Sequence, residues 1–224
     1  TDPELRFELY SDLYNNVLET DQSMSEDVFA EWVSGLEAEG NLSRLGEAYR
    51  LKGVVLDNDS AEERQEVFYR ALSYAEEASD SMLISNVLMS MGRIVIDTPS
   101  GQAFFARASA IYMDLGDSAK AASAKDQQAV SSERAGEQME VTDSLFQVAI
   151  SMMPMDIDPA FKARTINNRA YMRYKQGDFA GALPGFEEAI AVHFEHSPPE
   201  IQPTRLHIYM LTNLGKALLG LGRL

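Results

Sequence analysis

Lys52, Arg93, Arg134, Lys175 and Lys216 stand 41 residues apart in four successive intervals. Cations repeated at one period suit the capture of an anion along a strip: an acidic peptide, a carboxylate terminus or another anion. The column has a second possible origin, because lysine and arginine favour helix C-termini, where they complement the helix dipole. Both readings stay open on the sequence. His193-x-x-His196, with Glu195 between them and His207 further on, has the spacing of two metal ligands on one helix face. The pair lies at a helix end before Pro198-Pro199, the chain has no cysteine and no third ligand is close, so no metal site is expected. Glu62-Glu63, Glu76-Glu77 and Glu187-Glu188 are adjacent pairs, which diverge on a helix and read as solvated faces rather than acid–base dyads. Nothing gathers serine, histidine and aspartate into a triad, and no glycine-rich phosphate loop follows a strand. The expectation is a non-catalytic chain without cofactor or metal.

A companion column precedes the cations: Gly46, Leu88, Ala129, Ala170 and Gly215, at intervals of 42, 41, 41 and 45 residues. A period in this range signals stacked supersecondary units, each too small to bury its own apolar face, and such arrays bind rather than react. The spacing predicts an all-α chain of about eleven helices, two per period. A first helix over 3–19 carries Leu5, Leu9, Leu13 and Val17 as its apolar stripe, and Thr20 to Ser23 form a polar break. A second follows Ser25, buries Val28, Phe29, Trp32, Val33 and Leu36, and ends at Gly40-Asn41. Leu42 to Leu51 comes next with Gly53 as its stop, then Asp57 to Ser60, whose Ser60 makes a capping box with Glu63 and opens a helix to about Ala78. Further helices are expected at 81–96 and 100–115, 118–134 and 137–152, 159–176 and 178–195. They are divided by Asp97 to Gly101, Gly136 and Gly177-Asp178, and closed by Pro154 and Ser197-Pro198-Pro199. A last helix runs from near Pro203 to Leu221.

Residues 163–196 carry the sharpest pattern. Ala170 stands where a first helix touches its second, Gly177 at the turn, Phe179 just after it, Ala182 and Ala189 where helices approach closely, and Phe186 between units. This stretch resembles a tetratricopeptide repeat. Leu45-Gly46 with Tyr49 and Gly53, and Leu214-Gly215 with Leu218 and Gly222, are weaker echoes at matching offsets. The 41-residue spacing departs from the usual 34 and resembles longer-helix variants found in bacterial signal-sensing and regulatory proteins and in motor-adaptor subunits. The resemblance implies a right-handed superhelix whose first helices line a concave groove. It places Arg93, Arg134, Arg164, Asn167, Asn168, Tyr171, Tyr174, Lys175, Asn213 and Lys216 as candidate groove residues, with Asn86 in the same asparagine column. The co-chaperone carboxylate clamp does not match, since Asn167 and Tyr171 stand where that subfamily carries lysine and asparagine.

The 224 residues carry a net charge of −16, which excludes a phosphate-rich nucleic acid as an expected partner. No apolar run reaches membrane-spanning length. Residues 1–40 read as a degenerate repeat or cap, and 41–224 as an array ending mid-repeat, the whole one continuous solenoid belonging to a longer chain. The expected function is a protein- or peptide-binding scaffold, the sensor or adaptor region of a larger signalling or regulatory protein, in either cytoplasm or periplasm. Its expected partner is a protein segment, acidic on the reading in which the cationic column is a binding strip. A small-molecule-sensing solenoid and an architectural oligomerisation module, self-associating through the last helix, are the alternatives.

Overall fold

A computed structural model describes residues 3–18, 22–56, 61–196 and 204–223. Among them are eleven helices and no strand: α1 (Pro3–Leu18), α2 (Gln22–Glu39), α3 (Leu42–Val55), α4 (Ala61–Glu77), α5 (Ser81–Ile94), α6 (Pro99–Asp114), α7 (Ser118–Arg134), α8 (Met139–Met152), α9 (Pro159–Lys175), α10 (Phe179–His196) and α11 (Arg205–Gly220). Consecutive helices from α1 to α4 and from α6 to α11 pack on one another, as expected of an all-α array of hairpins. The chain divides into two units, Thr1–Met91 and Gly92–Leu224, so the division falls within α5. Residue 40, where the first helical pair was expected to end, lies in the turn between α2 and α3.

One turn recurs between the helices. Gly40, Gly116, Gly136, Gly177 and Gly222 all have φ between 65 and 82°, and Ser79 fills the same role at 54°. At Gly177 the amide bonds Tyr174 O and the next amide, of Asp178, reaches back to Arg173 O, which satisfies the last free carbonyls of α9. After four of these turns the next residue caps the following helix. Asn41, Asp80, Asp117 and Asp178 each accept through Oδ1 from the amide three residues on, at 2.8–3.2 Å. A left-handed residue followed by Asn or Asp therefore stops one helix and starts the next within two residues. Between α5 and α6 the same work falls to Thr98, whose Oγ1 accepts from Gly101 N at 3.3 Å with Pro99 in the first turn.

Unit 1 has an aromatic core. Tyr14 and Trp32 are buried, with Phe29 packed edge-on to Trp32 at 6.2 Å and to Tyr49 at 5.4 Å. Phe7 and Tyr14 are thus the inward face of α1, and the expected stripe of Leu5, Leu9 and Leu13 lies outward, 45–57% exposed. Gly53 is likewise not a stop: α3 runs on to Val55, and a Cβ at Gly53 would meet the Phe68 ring at 2.7 Å. That glycine lets α4 approach α3. The second helix begins at Gln22, inside the expected polar break. Thr20 and Asp21 of that break, the Asp57 to Ser60 loop with its capping box, Ser197-Pro198-Pro199 and Pro203 lie outside the described residues.

Unit 2 is built on alanine. Ala170, Ala182, Phe186 and Ala217 form one buried cluster, Ala163, Ile166, Ala189 and Met210 another, and Ala129, Phe146 and Met172 a third. Small residues let the axes come close and leave the larger Phe146, Phe186 and Met210 to fill the remaining volume. Asp143 on α8 pins α9 by accepting from both Arg169, at 2.8 Å, and Arg173, at 3.0–3.1 Å. Burial works against its charge, but the two guanidiniums outweigh it and hold its carboxyl below the ordinary range.

Replacing Gly177 by alanine forces a side chain into the left-handed region. The expected cost is about 1–2 kcal/mol in chemical denaturation followed by circular dichroism, with helix content in the absence of denaturant unchanged.

Candidate functional site

The first helices of successive hairpins in unit 2 touch directly, α7 on α9 and α9 on α11. Their shared face, with the end of α5, encloses an open cavity of about 520 Å³. Three arginines line it: Arg93 from α5, Arg134 from α7 and Arg164 from α9. Asn168 and Tyr171 of α9, Gln127 of α7 and Tyr209 of α11 complete the polar wall, with Phe146 and Met172 as apolar floor. Tyr171 stacks on Tyr174 with centroids 5.9 Å apart and meets Tyr209 at 6.5 Å, while Phe179 backs Tyr174 at 5.4 Å. The four rings thus form a contiguous row.

The charges around the cavity are unequal. Among the described residues Glu133 is the one carboxylate in its lining, and it accepts a hydrogen bond from Lys175, an attachment that raises the lysine pKa. Arg134 reaches Asp97 at 3.5 Å, an exposed and weak pair. Arg164 lies 5.2 Å from the Phe161 ring centre. Arg93 has no salt bridge among the described residues. Cationic groups therefore exceed free anionic ones at this surface, in a chain that is acidic as a whole.

Behind this wall sits Asp126, fully buried. Gln127 Nε2 donates to its Oδ2 at 3.2 Å, and Oδ1 has no donor. Burial pushes the Asp126 carboxyl up; nearby Arg164, Thr165, Gln127 and Asn168 only partly oppose that. Asp126 lies 41 residues before Asn167 and 41 after Ser85, and all three side chains are fully buried. A buried polar column thus runs one residue ahead of the Asn86, Gln127 and Asn168 positions.

The structure sorts the candidate residues. It brings Arg93, Arg134, Arg164, Asn168 and Tyr171 together around one cavity. Tyr174 and Lys175 support its edge through Tyr171 and Glu133. Asn167 and Asn213 face inward instead: Asn213 Nδ2 donates to Asn167 Oδ1 at 3.2 Å inside the α9–α11 seam, and both are buried. Their role is to register the two helices, and one polar atom on each, Asn167 Nδ2 and Asn213 Oδ1, stays unpaired. Lys216 is exposed on α11 and does not line the cavity. Lys52 belongs to unit 1, where it is buried against Phe29 with Nζ 2.7 Å from Glu26. The 41-residue column therefore has mixed roles. Arg93 and Arg134 face the cavity, while Lys52 and Lys175 each tie to a carboxylate on an earlier helix. Tyr209, Gln127 and Asp126 were not among the expected residues. Gln127 and Asp126 were legible as members of the 41-residue columns; Tyr209 carries no periodic signal.

His193 is buried and lies near His207, with ring centroids 5.9 Å apart, and Phe194 stands edge-on to His207 at 4.3 Å. Burial first, then His207, lowers the His193 pKa and favours the neutral ring. Among the described residues no group of three or more His, Asp or Glu side chains is placed to hold a metal ion. Nor is any helix among them long and apolar enough to cross a membrane.

No family model matches the chain, and no curated protein does. Its fold is shared with the crystal structure of BtubC (BKLC) from P. vanneervenii. The two align with a TM-score of 0.70 at 16% identity, over 97% of this chain and 85% of that one. At that identity the likeness shows a common helical architecture and nothing of the ligand.

Asp126→Asn keeps the side-chain shape and removes the charge. A carboxyl whose folded pKa is raised costs nothing below its unfolded pKa and its full penalty above the folded one. The variant is therefore expected to gain about 1 kcal/mol or more in urea unfolding at about pH 8, the gain shrinking as pH falls towards the ordinary carboxylate range. Equal gains at about pH 8 and about pH 4 would remove this account of the site.

Proposed function

We propose that this chain is a non-catalytic scaffold of tetratricopeptide type that binds an acidic protein segment in the cavity of unit 2. The observation that carries the reading is the excess of Arg93, Arg134 and Arg164 over the lining carboxylates among the described residues, where Glu133 stands alone and Lys175 already engages it. Three guanidiniums on three helices offer planar, multi-donor contacts to carboxylates, and their distribution selects a ligand that spans the face. The surrounding acidity adds to this selection, because a like-charged ligand gains only where the field reverses. The tyrosine row lends apolar contact area at little entropic cost, since its rings are already held. A protein segment of this kind fits the sensor or adaptor role proposed from the repeat pattern. The cavity volume also lies in the range used by small-molecule sites, so a small polycarboxylate is the second reading.

The test is fluorescence anisotropy with a labelled acidic peptide of about ten residues, against wild type and Arg93→Glu/Arg134→Glu. Both arginines are exposed, so the variant retains its helix content. The expected loss is about tenfold or more, and wild-type affinity falls steeply as ionic strength rises. Equal binding by wild type and variant would overturn the proposal. Tight binding of citrate with none of the peptide would favour the small-molecule reading.

A further inference from the structure

The charge of the chain is divided as its fold is. Residues 1–91 hold 20 acidic and 6 basic side chains, whereas 92–224 hold 15 and 13. Unit 1 thus carries nearly all of the net charge, and its first helix presents an ordered surface. Leu5, Leu9 and Leu13 are 48, 57 and 45% exposed, and successive members are four residues apart, so they form one ridge along α1. Glu4, Glu8 and Asp12 precede each leucine by one residue and form a parallel acidic row, all three exposed, with Glu4 also accepting from Arg44 of α3 at 3.3 Å. The helix is anchored from its opposite side. Phe7 lies 5.2 Å from the Trp32 ring, Tyr14 is buried against Phe29, and the Tyr10 hydroxyl donates to Glu31 at 2.8 Å. The ridge is not a core face turned the wrong way: the aromatic face already fills the core.

We infer that the outer face of α1 docks a basic amphipathic helix of a partner protein, with apolar side chains seated on the Leu5–Leu9–Leu13 ridge and lysines or arginines along Glu4, Glu8 and Asp12. An apolar row beside a row of single charge is the pattern by which paired helices choose partner and register. The charge decides the occupant. A second copy of this chain brings the same acidic row and the same acidic unit, so like charges oppose self-pairing, and an anionic lipid surface is opposed for the same reason. A basic helix gains from both rows at once. This surface lies in unit 1 and is independent of the cavity in unit 2.

The probe is a synthetic helix of about 18 residues with leucines along one face and lysines beside them. Its controls are a scrambled peptide of equal composition and a version with glutamate in place of lysine. Binding is read by fluorescence anisotropy on the whole chain, and sedimentation velocity follows the oligomeric state. Wild type is expected to bind the ordered basic probe about tenfold more tightly than the scrambled one, and to leave the glutamate version unbound. Leu9→Gln/Leu13→Gln and Glu8→Lys/Asp12→Lys each lower that affinity about tenfold with helix content unchanged, because the altered side chains are exposed. Equal binding of ordered and scrambled probes reduces the effect to bulk charge and overturns the proposal. So does wild-type affinity in the leucine variant, or a homodimer that Leu9→Gln/Leu13→Gln dissociates.

Discussion

The closeness of neighbouring helices is the constraint on which unit 2 depends. Ala129, Ala163, Ala170, Ala182, Ala189 and Ala217 are all buried, and a Cβ on Gly185 would come within 2.8 Å of the Ala170 methyl. Nothing larger fits at those crossings without displacing a helix, and displaced helices would no longer present one face. The cavity is a by-product of that spacing. Ala129 of α7, Ala163 and Ala170 of α9 and Ala217 of α11 are buried in that packing, and arginines and tyrosines occupy the outer face that α7, α9 and α11 share.

The turns enforce the same geometry from the ends. A left-handed glycine or serine followed by Asn or Asp closes one helix and caps the next within two residues, which fixes the distance between neighbouring axes. The all-α architecture is one that tolerates little sequence in common, as the 16% identity at a TM-score of 0.70 indicates. Such a fold constrains few positions and leaves the exposed faces free to differ.

The helices were legible because period, turn glycines and capping residues all agreed, and each of the eleven had an expected counterpart. Two local readings failed for the same reason, that one residue type serves two purposes. Glycine marks a turn or a close approach, and at Gly53 the Phe68 ring across the hairpin makes it the second. Leucines at four-residue spacing mark a face, but Phe7, Tyr10 and Tyr14 mark one too, and only the presence of Trp32 and Phe29 opposite them shows which is inward. At the cavity, spacing located the arginines but not their partners: Lys175 reaches Glu133 from 42 residues away. Asn167 and Asn168 were indistinguishable by type. A step of one residue turns a side chain by about 100°, so one registers helices and the other lines the wall.

The amide pair in the seam between α9 and α11 leaves an NH₂ on Asn167 and a carbonyl oxygen on Asn213 with nothing to bond. A wholly apolar seam would lose contacts continuously as the helices slid apart, but this one trades a single hydrogen bond for the chance to hydrate two starved amides. The α9–α11 seam therefore differs in kind from the alanine-packed crossings around it, since its centre holds one buried amide–amide bond beside the Tyr171 and Tyr209 rings.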